Sequence, residues 1–322
     1  MVGRTLAERL VNRLGDRPAK LAFRLTNTRL MRAKLGKSYE NALAVHRPAL
    51  PQLSSEDRAV VGSLNDKGYY VTSLDALGLP NSQEMLARAQ RAAANSLASV
   101  RAEAAKGRDF TFVPPSVIAA NPAIFTWGLD ERLLDIVETY LGLPVAYDGL
   151  NILYTAADGR AVASRQWHRD REDRKMVKVA VYLHDVVDGG GPLQVISRID
   201  QTQSDADGYF YELGVPEVLA SLLGPDYQKD IVTLPGSAGT VIFLDTARYF
   251  HRGEPAHVKD RVAVFYSYFA QRTRHPFFCH RSGLRREDLE HLTQGLTRRQ
   301  RASTFWFDQA KRLVRMIPPA PV

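Results

Sequence analysis

Two histidines and an aspartate have the side chains that metal-dependent oxidation needs. They begin in Trp167-His168-Arg169-Asp170. Extended backbone points residues two apart to the same side, so His168 and Asp170 can offer an imidazole and a carboxylate to one point. Two imidazoles and one carboxylate on one face of a ferrous ion form the facial triad of non-haem iron oxygenases. The pair therefore predicts a second histidine at the end of a distant core strand. Gly239–Asp245 (Gly-Thr-Val-Ile-Phe-Leu-Asp) reads as that strand, and Tyr249-Phe250-His251-Arg252-Gly253 follows it. Ten residues past His251, Arg261 opens a further apolar strand. A guanidinium there can fork onto a carboxylate, such as the distal one of 2-oxoglutarate.

His168-x-Asp170, then His251 and Arg261, resembles the phytanoyl-CoA dioxygenase family of iron(II)/2-oxoglutarate oxygenases. Gly191-Pro-Leu-Gln-Val-Ile196 and Pro235-Gly236 with Gly239-Thr240 are similar to segments of that family too. The resemblance covers Val145 to Phe269. It implies catalytic and metal-binding roles for His168, Asp170 and His251, with Fe(2+), 2-oxoglutarate and O2 as cofactor and co-substrates, and ascorbate as a supporting reductant. Three protein ligands would leave two iron sites for 2-oxoglutarate and one for oxygen. Conversion of 2-oxoglutarate to succinate would then drive hydroxylation or desaturation of a small organic substrate. Related halogenases lack the carboxylate ligand; Asp170 fills that place, so oxygenation is expected and halogenation is not. Arg261 would bind 2-oxoglutarate. Lys259 stands where the family often has a serine, so Tyr154 or Lys178 is expected to supply the second contact. Trp167, Tyr182, Tyr249 and Phe250 are expected to wall the substrate pocket. Ser197-Arg198-Ile199-Asp200 departs from the family's usual Gly-Ser-His turn.

The elements that must position these groups are short strands with turn residues between them. Val145–Tyr154, Met176–His184, Leu193–Ile196, Thr240–Leu244 and Val262–Phe269 are rich in β-branched and aromatic residues. Ala157-Asp158-Gly159 and Gly189-Gly190-Gly191-Pro192 read as turns. No regular strand–helix alternation is present, which favours a sandwich or jelly roll over a doubly wound sheet. Ahead of the strands lie helices at Asp57–Asn65 (capped by Ser54 or Ser55), Ser82–Lys106 and Asp130–Leu141, with the strand-like Gly68–Thr72 among them. Arg285–Met316 returns to helix. The fold class expected is α+β: a double-stranded β-helix (jelly roll, cupin-like) flanked by N- and C-terminal helices. Its parts are a basic helical arm at 1–50, the jelly-roll domain at 51–282 and a helical extension at 283–322. In the arm, Leu6, Leu10, Leu14, Leu21 and Leu25 recur at helical spacing, and Pro18 can open a second helix.

Composition narrows the alternatives. With 322 residues, 45% of them hydrophobic and 24% charged, the chain has the make-up of an ordinary soluble globular protein. Its one cysteine, Cys279, excludes an internal disulfide, zinc fingers and cysteine-ligated clusters. No apolar run is long enough to cross a bilayer. Charged residues interrupt the N-terminus, so no secretory signal is expected and the location is read as cytoplasmic. The formal charge of +8 gathers at the two ends. It suggests a weak contact with a membrane surface or an acidic carrier protein through Arg9, Arg13, Lys20 and Arg24. No basic, aromatic-rich motif of the kind that binds nucleic acid is present. Cys279-His280 lacks a supporting nucleophile motif, Gly189–Gly191 lacks the lysine and helix of a phosphate cradle, and Gly236–Gly239 lacks nucleophile-elbow spacing. The alternative to an oxygenase is a catalytically silent jelly roll that captures a small-molecule ligand.

Overall fold

The computed structural model describes residues 17–108, 110–199, 213–318 and 320. Its strands are β1 (Tyr69–Ser73), β2 (Thr111–Phe112), β3 (Val145–Thr155), β4 (Met176–Tyr182), β5 (Leu193–Ile196), β6 (Ile231–Leu234), β7 (Thr240–Asp245), β8 (His251–Gly253) and β9 (Arg261–Ala270). They pair antiparallel in two sheets, a larger one ordered β1-β7-β4-β9-β3-β2 and a smaller one ordered β6-β5-β8. The chain crosses between the sheets, as a double-stranded β-helix requires, and helices flank the larger sheet. The fold is therefore the expected α+β jelly roll.

The strand alternation divides the interior. On β4, Val177, Val179 and Val181 join Phe243, Val264, Tyr266 and Tyr268 in the core that packs against the helices. The next residues, Ala180 and Tyr182, join Leu193, Val195, Ile242 and Leu244 between the sheets. Both faces of β4 are buried, so it reads as almost unbroken hydrophobic sequence. Lys178 is the exception, on the inter-sheet face, and its cost of burial marks where that face carries function.

The principal helices are α1 (Arg29–His46), α2 (Ser55–Asp66), α3 (Ser82–Ala105), α4 (Glu131–Leu141), α5 (Pro216–Leu223), α6 (Arg286–Leu292) and α7 (Arg298–Thr304). Ser54 caps α2, its hydroxyl accepting from the Asp57 amide at 3.1 Å. Asp130 caps α4, which buries Leu133, Leu134, Ile136, Val137 and Leu141 as its spacing predicts. Both helices and Met85, Ala89 and Ala92 of α3 belong to the core beneath the larger sheet. No helix among the described residues is long and apolar enough to cross a membrane.

Several expectations need correction. The tail is not one helical return: Gly295, at φ +76°, turns the chain between α6 and α7, and the side chain of Thr297 restarts it as the α7 cap. The described part of the N-terminal helix, 17–26, includes Pro18. It buries Ala19 and Ala22 against Phe277 and Phe278, whereas Leu21 and Leu25 remain 59% and 60% exposed. Small residues thus form its packing stripe, because the neighbouring phenylalanines already fill the space. Leu6, Leu10 and Leu14, with Arg9 and Arg13, lie outside the described residues. β6, α5 and the short helix Pro122–Trp127 were not legible from sequence pattern.

Candidate metal centre and its cavity

His168 does not lie on a long strand. It forms a single antiparallel bridge with His251, the first residue of β8. The His168 amide donates to the His251 carbonyl at 3.1 Å and the His251 amide to the His168 carbonyl at 3.0 Å. Residues paired in this way project on the same side of the ladder, and the two ring centroids are 4.3 Å apart. Two residues on, the Asp170 amide donates to the Thr246 carbonyl at 2.7 Å, just past the end of β7. The bridge and this bond fix the His-x-Asp segment at two points. One ligand atom from each of His168, Asp170 and His251 lies within 4.8 Å of the others.

Backbone carbonyls orient both imidazoles. Nδ1 of His168 faces the Gln166 carbonyl at 2.8 Å, and Nδ1 of His251 faces the Tyr249 carbonyl at 3.2 Å. Such partners hold a ligating ring and leave its Nε2 for the metal. In His251, Nε2 is 4.0 Å from Asp170 Oδ2. Burial lowers the His168 pKa and pushes that of His251 down to about 3, so both rings are neutral at physiological pH. Burial pushes the Asp170 carboxyl up, but the Lys178 ammonium beside it outweighs burial and holds the group well below the usual carboxylate range. Lys178 Nζ is 2.7 Å from Asp170 Oδ2. The three donors are therefore in their metal-binding protonation states.

The triad opens into a cavity of about 490 Å³ between the sheets. Arg261, fully buried at the start of β9, lines it, as do Lys178, Leu193 and Phe265. Its Nη1 donates to the Gly191 carbonyl and its Nη2 to Thr155 Oγ1 at 3.1 Å, while its buried Nε has no hydrogen-bond partner among the described residues. A buried guanidinium with an unused donor on a cavity wall suits an anionic ligand.

Of the six groups predicted to hold the metal and 2-oxoglutarate, the structure brings five to one cavity. His168, Asp170, His251, Arg261 and Lys178 share the cavity; Tyr154 does not. Thr155 and Leu153 face inward on β3, so alternation sends Tyr154 outward, where its hydroxyl donates to Asp260 at 2.6 Å. The four aromatic residues expected to wall the pocket also lie elsewhere. Trp167 and Phe250 each adjoin a ligand, and alternation turns both into a separate cluster with Leu219 and Leu223. Tyr182 lies deeper between the sheets, donating to the Leu234 carbonyl at 2.8 Å and accepting from the Leu193 amide at 2.9 Å. Tyr249 packs on Gly68, where an added Cβ would come within 2.4 Å of its ring. The aromatic rings that do line the cavity are Phe110, Phe112 and Phe265.

Sequence reasoning missed Asp148, Asn151, Glu172 and Arg281, all in the cavity wall. One signal was available: Gly149 interrupts an otherwise apolar strand, the mark of a bulge or close backbone approach. The β3–β9 register does shift between Tyr147 and Leu150.

No family model matches this chain, and no curated protein matches it. Among solved structures, it is similar to EctD from S. alaskensis with 2-oxoglutarate and 5-hydroxyectoine, at 22% identity over 69% of this chain and 77% of that one, with a TM-score of 0.46. It is similar to AviO1 from Streptomyces viridochromogenes Tue57 at 17% identity over 68% of this chain and 96% of that one, TM-score 0.46. A third similar structure is the α-ketoglutarate-dependent epimerase SnoN from nogalamycin biosynthesis, at 13% identity over 67% and 83% of the two chains, TM-score 0.41.

Proposed function

We propose that this chain is an iron(II)- and 2-oxoglutarate-dependent oxygenase of the phytanoyl-CoA dioxygenase type, which hydroxylates or desaturates a small organic substrate. The observation that carries the reading is the convergence of His168, Asp170 and His251 within 4.8 Å on a cavity that also receives Arg261. Two neutral imidazoles and a carboxylate are the donor set that suits ferrous iron with open positions. When bound, the iron supplies oxygen activation coupled to conversion of 2-oxoglutarate to succinate, with ascorbate as a reductant that maintains the ferrous state.

The chain's own residues hold and shield that chemistry. Gln166 and Tyr249 carbonyls fix the rings of His168 and His251. Arg261 offers its free Nε–H and its charge to the distal carboxylate of 2-oxoglutarate, held in place by Gly191 and Thr155. Lys178 neutralises Asp170 and adds positive charge for the co-substrate. Leu193, Leu244 and Phe265 supply an apolar wall that keeps water from the reacting carbon. The reading also puts the enzyme in the cytoplasm, where a lone buried thiol such as Cys279 stays reduced.

The test is succinate formation from 2-oxoglutarate by the purified protein with and without iron, alongside direct measurement of metal binding. Turnover should require iron and vanish in His168→Ala and Asp170→Ala. Absence of iron-dependent turnover in the wild-type chain would leave only the ligand-capturing jelly roll, and retention of metal affinity and turnover in both variants would overturn the triad.

A further inference from the structure

Arg281 is a cavity-wall cation whose task the oxygenase reading leaves open. Arg261 is committed to Gly191 and Thr155, and Lys178 lies on Asp170. The Arg281 side chain makes one hydrogen bond among the described residues, from Nη1 to Glu172 Oε1 at 3.3 Å, and keeps 34% of its surface accessible. Glu172 is almost fully enclosed, and its other oxygen accepts from the Arg171 amide at 2.8 Å. A guanidinium has five N–H donors, so most of this one's capacity remains unspent.

The backbone around Arg281 is built to hold it there. Asp148, on the β3 bulge, accepts from the amides of His280 at 2.9 Å and Arg281 at 3.1 Å. Asn151 Nδ2 donates to the Arg281 carbonyl at 3.4 Å. His280 takes the left-handed conformation at φ +66°, unusual for a residue with a side chain. Its ring stacks on Trp306 with centroids 5.1 Å apart and 19° between planes. At Gly149 a Cβ would come within 2.9 Å of Ser282, so the glycine admits the segment that follows Arg281. Three cavity-wall side chains and the C-terminal extension thus converge on one arginine.

We infer that Arg281 is a specificity-determining residue that binds an anionic group of the substrate, a carboxylate or a phosphate, and so sets which carbon faces the metal ligands. The inference rests on the oxygenase reading for the word substrate, but binding of an anion at Arg281 can be measured apart from it. A fork of N–H donors matches both carboxylate and phosphate, and fixing one end of a small molecule restricts the approach of the other.

Equilibrium dialysis with inorganic phosphate and with acetate, on protein loaded with iron and 2-oxoglutarate under nitrogen, tests it. The wild-type chain should retain at least one of the two. Arg281→Gln should weaken that retention roughly tenfold to a hundredfold, the range for a lost hydrogen bond to a charged group. Metal and 2-oxoglutarate affinities should stay unchanged. Arg281→Lys keeps a cation for Glu172 and guards against misfolding; it should bind the same anion several-fold more weakly than wild type. Equal retention by wild type and both variants, or none by wild type, overturns the assignment. Failure to bind iron, with anion retention still dependent on Arg281, would instead count against the oxygenase reading alone.

Discussion

Gly253 lies directly against the guanidinium of Arg261: a Cβ at that position would come within 2.6 Å of Nη2 and 2.8 Å of Nη1. The last residue of β8 is therefore glycine because the buried arginine occupies the space a side chain would need. Gly253→Ala should push the guanidinium off the Gly191 carbonyl and weaken 2-oxoglutarate binding about tenfold, the cost of one charge-assisted hydrogen bond. Metal affinity should be unchanged, because His251 is two residues away on a separately anchored bridge. Parallel titrations of metal and 2-oxoglutarate would check this, and equal loss of both would refute it.

Lys178 and Asp170 form an ion pair inside the cavity, 2.7 Å apart. A divalent ion held by Asp170 must share that carboxylate with a neighbouring cation. Lys178→Met should therefore tighten metal binding, by about tenfold if one nearby like-charge contact is relieved. It should also weaken 2-oxoglutarate binding. Calorimetric titration with manganese as a redox-stable probe would report the first effect, and weaker manganese binding would contradict it.

Protons should compete little for this site. Burial pushes His251 down to about 3 and lowers His168, so neither ring carries a proton that the metal must displace at neutral pH. Metal affinity should be nearly flat from about pH 8 to pH 6, where ordinary histidines, near 6.5, would begin to lose it. The sign for the metal-free protein follows from the same depression. The stability contributed by neutral His251 is full above about pH 6.5 and falls away as pH drops toward about 3. A tenfold or greater loss of manganese affinity between the two upper values would contradict the flat profile.

Asp245 ends β7 and organises the turn that leads to His251. Its carboxylate accepts from the Tyr140 hydroxyl, from Arg248 Nε and from the amides of Ala247 and Arg248. The residue is fully buried. Asp245→Ala leaves a partly buried guanidinium and a buried phenol without their acceptor and should cost about 3 kcal/mol. Urea denaturation should show the loss, together with weaker metal binding as Thr246 loses its hold on Asp170. A variant as stable as wild type would show that solvent replaces the carboxylate at little cost.

The C-terminal extension should matter to the substrate end of the cavity. Trp306 is buried against Phe269 and His280. Trp306→Ala should destabilise the fold by about 3–5 kcal/mol. At temperatures where it remains folded, it should raise KM for substrate more than it lowers the affinity for 2-oxoglutarate. An unchanged KM would separate the tail from the site.

Much of this was legible because it is local. Extended backbone alternates, so His168 and Asp170 had to share a side, and an apolar strand before His251 and another after Arg261 marked the jelly-roll core. The cap at Ser54 and the buried stripe of Glu131–Leu141 follow from nearest-neighbour chemistry. The same alternation, carried one residue further, would have turned Trp167, Phe250 and Tyr154 away from the cavity. What could not be read was any contact between segments far apart in sequence. Lys178 lies on Asp170, Gly253 makes room for Arg261, and Asp148 with Glu172 holds Arg281. The sequence by itself determined which donors the chain possesses and which strands present them. The packing of two sheets decided which donors meet, because a hydrogen bond or an ion pair depends on distances of a few ångströms that only the folded arrangement sets.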